Sequence, residues 1–212
     1  MAAERHTLSA PSGLADARTR SATSRMPDDA LLDAARDCVL ASGVRRTTLA
    51  EIARTAKVSR MTLYRRFPDV RSILAALMTR EFGALLRRTS EEAATARTAR
   101  ERLVDSAVAG VRALVTDPLM RTVLDVDADL LLPYITERLG ATQRLAEDGL
   151  RVVIGAGHED GSIRRGDVAA QVRAVLLVVQ SFVLSLRPAT VDVPEEALLA
   201  ELRHLLDAAL AP

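Results

Sequence analysis

The stretch TTLAEIARTAKVSRMTLYRRF, residues 47–67, constrains the fold more than any other part of this chain. Two short runs with helical spacing flank a turn at Lys57–Val58. In the first run Leu49, Ile52, Ala53 and Ala56 recur at the intervals that place side chains on one helix face. In the second, Leu63 and Phe67 do the same. Thr47 or Thr48 can cap the first helix, and Glu51, three residues after Thr48, completes a capping-box pattern. Ser59 can cap the second. Two helices joined by so short a turn pack near a right angle, which is a helix-turn-helix.

The flanking sequence extends this unit. Pro27, Asp28 and Asp29 suit a helix start. The stripe Leu31, Ala35, Cys38, Val39 and Ser42 follows, and Gly43 supplies a stop. Cys38, the only cysteine, falls on that stripe and reads as a packed core thiol. Pro68–Asp69 ends the third helix and opens a long one through Ile73, Leu77, Phe82 and Leu85. Further helices are expected near 99–116, after Pro118, from about 129 to 155 with Pro133 in its first turn or at a break, near 167–187, and near 195–210. GHEDGSIRRGD reads as a loop. Aromatic residues are only 2% and Trp is absent, so the core must be aliphatic. The expectation is an all-α protein with a disordered basic arm at 1–26, a helix-turn-helix domain at 27–72 and a helical effector-binding and dimerisation domain at 73–212.

Charge is divided along the chain. Residues 1–80 carry 14 Arg and Lys against 8 Asp and Glu, whereas residues 81–212 carry 15 against 20. The excess concentrates where Arg45, Arg46, Arg54, Lys57, Arg60, Arg65, Arg66 and Arg71 face only Glu51 and Asp69. Neutralising DNA phosphates needs such an excess on one small surface. The second helix of the motif would present Ser59, Arg60, Met61 and Thr62 at its N-terminal end, the part that meets base edges in a major groove. An alternative is a helical interaction module whose basic hairpin binds an acidic partner.

Other motifs carry less. VVIGAGHEDG resembles a nucleotide loop, but its glycines are wrongly spaced and no helix opens after them. Asp125, Asp127 and Asp129 resemble the start of a calcium loop, but Leu130 and Thr136 stand where Gly and Glu are needed. His158 has no second histidine nearby. No catalytic constellation, metal site or cofactor motif is apparent. The apolar run 174–186, broken by Gln180, Ser181 and Ser185, is short for a bilayer span, and residues 1–26 lack the apolar core of a secretory signal. A cytoplasmic, non-enzymatic protein is expected.

The segment TTLAEIARTAKVSRMTLYRRFPDVRSIL resembles the DNA-binding segment of TetR-type transcriptional regulators. The resemblance implies a homodimer on a palindromic operator, released by a small molecule bound among the C-terminal helices. It implies phosphate contact for Thr48 and Tyr64, base or groove contact for Ser59, Arg60 and Met61, and core roles for Leu63 and Phe67. The chemistry agrees: Arg60 can take guanine O6 and N7 together, and the Tyr64 hydroxyl can reach a phosphate. Arg46, Lys57, Thr62, Arg65, Arg66 and Arg71 complete the expected DNA-binding set. Two positions depart from the family pattern. Lys57 stands where glycine is usual. A positive φ there would cost Lys about 1–2 kcal/mol; otherwise the turn differs. Val70 stands where a basic residue is usual, and Arg71 follows one place late.

The last two helices have wide apolar faces. Pairing across a two-fold axis would bury Val172, Val175, Val179, Phe182, Leu198, Leu202, Leu205 and Leu206 in a four-helix bundle. Candidate effector-pocket residues are Val104, Val108, Val111, Leu114, Met120, Leu124, Leu131, Tyr134, Ile135, Leu139 and Val178. Walls this poor in aromatics suit a flexible apolar ligand, such as a fatty acyl chain, better than a flat cation.

Overall fold

The computed structural model describes residues 15–126 and 139–212, which form nine α-helices and no strand. In chain order these are α1 (Ala15–Ser42), α2 (Leu49–Thr55), α3 (Arg60–Arg66), α4 (Val70–Glu92), α5 (Ala99–Thr116), α6 (Pro118–Val126), α7 (Ala141–Glu159), α8 (Val168–Ala189) and α9 (Glu195–Leu210). A 3-10 turn, Ala93–Thr95, follows α4.

Two aliphatic cores organise them. In the N-terminal core, Leu31, Ala35 and Val39 of α1 meet Leu49 and Ile52 of α2, Leu63 of α3 and Ile73 and Leu77 of α4. Cys38 is buried there, its Sγ 3.5 Å from Thr55 Oγ1, as a packing thiol should be. The C-terminal core is built around α5, which packs against α4, α6, α7, α8 and α9. Its Leu103, Val104, Val108, Val111 and Val115 are all buried. Two helices belong to both cores. α4 gives Ile73 and Leu77 to the first and Phe82 to the second; α6 gives Leu119 and Val123 to the first and Met120 to the second.

Three expectations about the helices need correction. α1 begins at Ala15, ahead of Pro27. Residues 15–26 contain no Gly or Pro and are rich in Ala and Arg, which favour helix, so a lack of apolar residues did not preclude helical backbone. α7 begins at Ala141 and continues past Gly155 through Gly157 to Glu159, three residues into the expected loop. Gly157 serves close packing: a Cβ there would lie 2.4 Å from Ile163 Cδ1. Gly161 then turns the chain back at φ 74°. His158 is likewise in the helix, buried, with Nε2 2.8 Å from Gln171 Oε1 of α8. Finally, α8 is by length and composition apolar enough to cross a membrane, despite Gln180, Ser181 and Ser185. In the fold its inward residues Val172, Val175, Leu176, Val183 and Leu186 are buried.

The start of α5 is tied to the turn after α7. Thr98, Asp160 and Ser162 accept from the amides of Glu101, Ala99 and Arg100 respectively. Hydrogen bonds from Ser162, and then from the Ala99 amide, hold the Asp160 carboxyl below the usual carboxylate range.

Candidate nucleic-acid interface

Local hydrogen bonding shapes the motif. The Thr48 hydroxyl accepts from the Glu51 amide at 3.2 Å and starts α2. The helix ends with Val58 N donating to Ala53 O (3.0 Å) and Lys57 N donating to Arg54 O (3.2 Å). That crossed pair is a Schellman motif, which requires a left-handed residue at the position Lys57 fills. Lys57 complies, with φ 55°. The turn therefore keeps the geometry of the glycine-bearing turn, and Lys carries the steric cost of about 1–2 kcal/mol.

Ser59 caps α3: its Oγ accepts from the Thr62 amide at 3.1 Å and lies 2.8 Å from Thr62 Oγ1. Leu63 is 0% exposed and fixes the short helix to its domain. On the other side, Arg60, Met61, Tyr64 and Arg65 face outward, Met61 at 78% and Tyr64 at 49% exposure. An apolar Met exposed to that degree serves no packing role within the chain. Lys57, Arg60, Arg65 and Arg71 are exposed, with no carboxylate partner among the described residues. Thr48 and Arg60 line one hollow of about 630 Å³ between α2 and α3. Arg54 lines it too, 3.9 Å from Glu51, although sequence reasoning placed it only in the basic cluster. Its position on the solvent side of α2, opposite Leu49 and Ile52, is the signal that could have found it.

Not every expected residue faces this way. Arg66 is half-buried and paired with Asp28, tying α3 to α1. Arg46 Nε donates to Ser42 O at 2.8 Å, closing an orphan carbonyl at the end of α1. Ser59 and Thr62 spend part of their hydrogen-bonding capacity on each other and on the cap. Helix termini leave backbone groups that need such partners.

The expected pocket and interface residues also separate. Val104, Val108, Val111 and Met120 are core, and Leu114 and Leu124 pack against it. Leu139 is half-buried. Leu131, Tyr134 and Ile135 lie outside the described residues. Val178, placed among the pocket residues, is on the exposed side of α8. Of the expected interface set, Val172, Val175, Leu202 and Leu206 are buried within the chain itself, and Val179, Phe182 and Leu198 pack beside them. The outward apolar residues of α8 and α9 are Leu177 at 58%, Val178 at 36% and Leu205 at 52% exposure. Because α8 is apolar nearly all round, its periodicity could not indicate which side turns inward.

A helical bundle carrying an exposed basic reading helix defines a helix-turn-helix DNA-binding regulator. Residues 31–77 match the bacterial regulatory proteins of the TetR family. An uncharacterized HTH-type transcriptional regulator of Mycobacterium bovis is 41% identical over 177 residues, 84% of this chain and 90% of that protein. One of Mycobacterium tuberculosis is 40% identical over the same coverage. This chain belongs to the TetR family of transcriptional regulators. FadR from Bacillus subtilis, solved with stearoyl-CoA, shares the fold at TM-score 0.63 and 21% identity, over 85% of this chain and 98% of that one. The fatty acid degradation regulator FadR from Bacillus halodurans does so at TM-score 0.63 and 19% identity, over 84% and 93%.

Proposed function

We propose that this regulator is a cytoplasmic homodimeric repressor that holds a palindromic operator and releases it when a small apolar effector, fatty-acyl-like in character, binds the C-terminal domain. The observation that carries this reading is the shared membership of α4. The helix that shares the N-terminal core with Leu63 of α3 through Ile73 and Leu77 is anchored in the other core through Phe82. A ligand that favours a different packing of the C-terminal helices therefore shifts the reading helices of the two protomers relative to each other. Arg60 and Met61 read base edges; Thr48, Lys57, Tyr64, Arg65 and Arg71 hold phosphates. The dimer forms through the outward side of α8 and α9, where Leu177, Val178 and Leu205 are exposed. Support for the effector class comes from the aliphatic core and from a structural relative solved with stearoyl-CoA.

The test is selection of duplexes from a random pool by the full chain, followed by titration of the selected complex with acyl compounds. The expected result is a palindrome with half-sites one or more helical turns apart, bound with a steep salt dependence, and released by an acyl ligand. Failure to prefer any duplex would sink the repressor reading and favour an acidic protein partner.

A further inference from the structure

A groove of about 530 Å³ runs between α4 and the start of α7, floored by Ala75, Ala76, Ala141 and Leu145 with Thr79 at its side. Its size is that of a small-molecule site. Leu145 is 40% exposed there although it presses on the α4 backbone: a Cβ on Gly83 would lie 2.9 Å from its Cδ2. Arg80 and Arg87 line the same groove but differ in state. Arg80 is satisfied internally, 2.8 Å from Asp33, 2.7 Å from Glu81 and 3.6 Å from Asp29. Arg87 has no carboxylate partner among the described residues, and a Cβ on Gly83 would stand 3.6 Å from its Nη1, along the groove.

We infer that this groove binds an anionic amphiphile, with the aliphatic chain on Ala75, Ala76, Ala141 and Leu145 and the carboxylate or phosphate on Arg87. An arginine guanidinium suits either anion through paired hydrogen bonds. This rests on the effector reading above and narrows it: the ligand carries a negative head, and it contacts α4 along the stretch that also carries Ile73, Leu77 and Phe82. Occupying the groove would press α4 away from α7 at the stretch next to Ile73 and Leu77.

The experiment uses the full chain and three probes of equal chain length: a C16 fatty acid, the C16 alkyl phosphate and the C16 alcohol. Affinities are measured by calorimetry, with operator binding followed in the same preparations. The anionic probes should bind about tenfold or more tightly than the alcohol, as a charge-assisted hydrogen bond implies. Whichever of acid and alkyl phosphate binds tighter identifies carboxylate or phosphate as the natural head. Arg87→Gln should abolish the preference for anions, whereas Arg88→Gln, whose side chain lies by Glu92 on the same helix, should leave it. Leu145→Asp should weaken all three probes. Alcohol and acid binding equally, or Arg87→Gln retaining the preference, overturns the assignment. Operator bound but no anionic chain bound removes this inference alone. Anionic chain bound through Arg87 without operator release removes the effector-release reading and leaves the groove assignment standing.

Discussion

α3 and α8 both leave side chains of one face exposed, yet they are built oppositely. α3 has seven residues and one fully buried anchor, Leu63, with charge on its free side. α8 has 22 residues, apolar on both sides, with its inward residues in the C-terminal core and Leu177 and Val178 left outside. The contrast shows what a face needs in order to be legible. Charge placed against an apolar anchor marks inside and outside at once. Apolar residues on both sides mark neither.

The anchor should give the largest effect. Leu63→Ala removes a fully buried side chain and should cost about 2–5 kcal/mol in chemical denaturation, whereas Leu177→Ala, on the exposed side of α8, should move protomer stability by less than about 0.5 kcal/mol. Similar losses would erase the contrast. Leu177→Arg should shift the protein toward monomer in sedimentation without unfolding it; an unchanged oligomer would place the interface elsewhere.

Next come the outward residues of α3. Arg60→Ala should cost about 1–3 kcal/mol at its preferred base pair and relax selectivity there. Tyr64→Phe should weaken all duplexes alike by about 0.5–1.5 kcal/mol. Binding profiles across a duplex library separate the two, and identical profiles would dissolve the division into reading and positioning.

A smaller effect belongs to the turn. Lys57→Gly should raise stability by about 1 kcal/mol, because relief of the left-handed strain outweighs glycine's entropy cost. The same change should weaken operator binding and reduce the salt slope by about one unit if Lys57 meets a phosphate. Greater stability with unchanged binding would leave Lys57 a tolerated substitution with no DNA contact.

The smallest effect lies far from DNA. The Asp160 carboxyl is held below its ordinary range, so its contribution is complete above about pH 4, the unfolded value, and is lost as pH falls through the lower folded value. Asp160→Asn should flatten the acid-side fall in Tm relative to wild type. An unchanged acid profile would show that the hydrogen bonds to Ser162 and Ala99 contribute little.

Much of the reading region was legible because its determinants are close in sequence. Thr48 and Glu51, Ser59 and Thr62, and Leu63 and Phe67 are three or four residues apart, within the range of caps and helix turns. The expected bounds of the helix at 99–116 matched α5 because Thr98 and Pro118 mark both ends. Arg66 was not legible, since its partner Asp28 lies 38 residues away. Neither was the continuation of α7 past Gly155 through Gly157. Glycine ordinarily signals a helix end, but here Gly157 answers to Ile163, which returns against it across the turn at Gly161.

By itself, the sequence determined an all-α chain with a basic helix-turn-helix and an aliphatic body, since hydrophobic period, capping and charge act over a few residues. Only the tertiary structure decided which of the basic side chains are free. Arg66 found Asp28 and Arg80 found Asp29, Asp33 and Glu81, while Arg60, Arg65 and Arg87 found no carboxylate among the described residues. It also decided which side of α8 turns inward, because burying an all-apolar helix depends on what packs against it rather than on its own pattern.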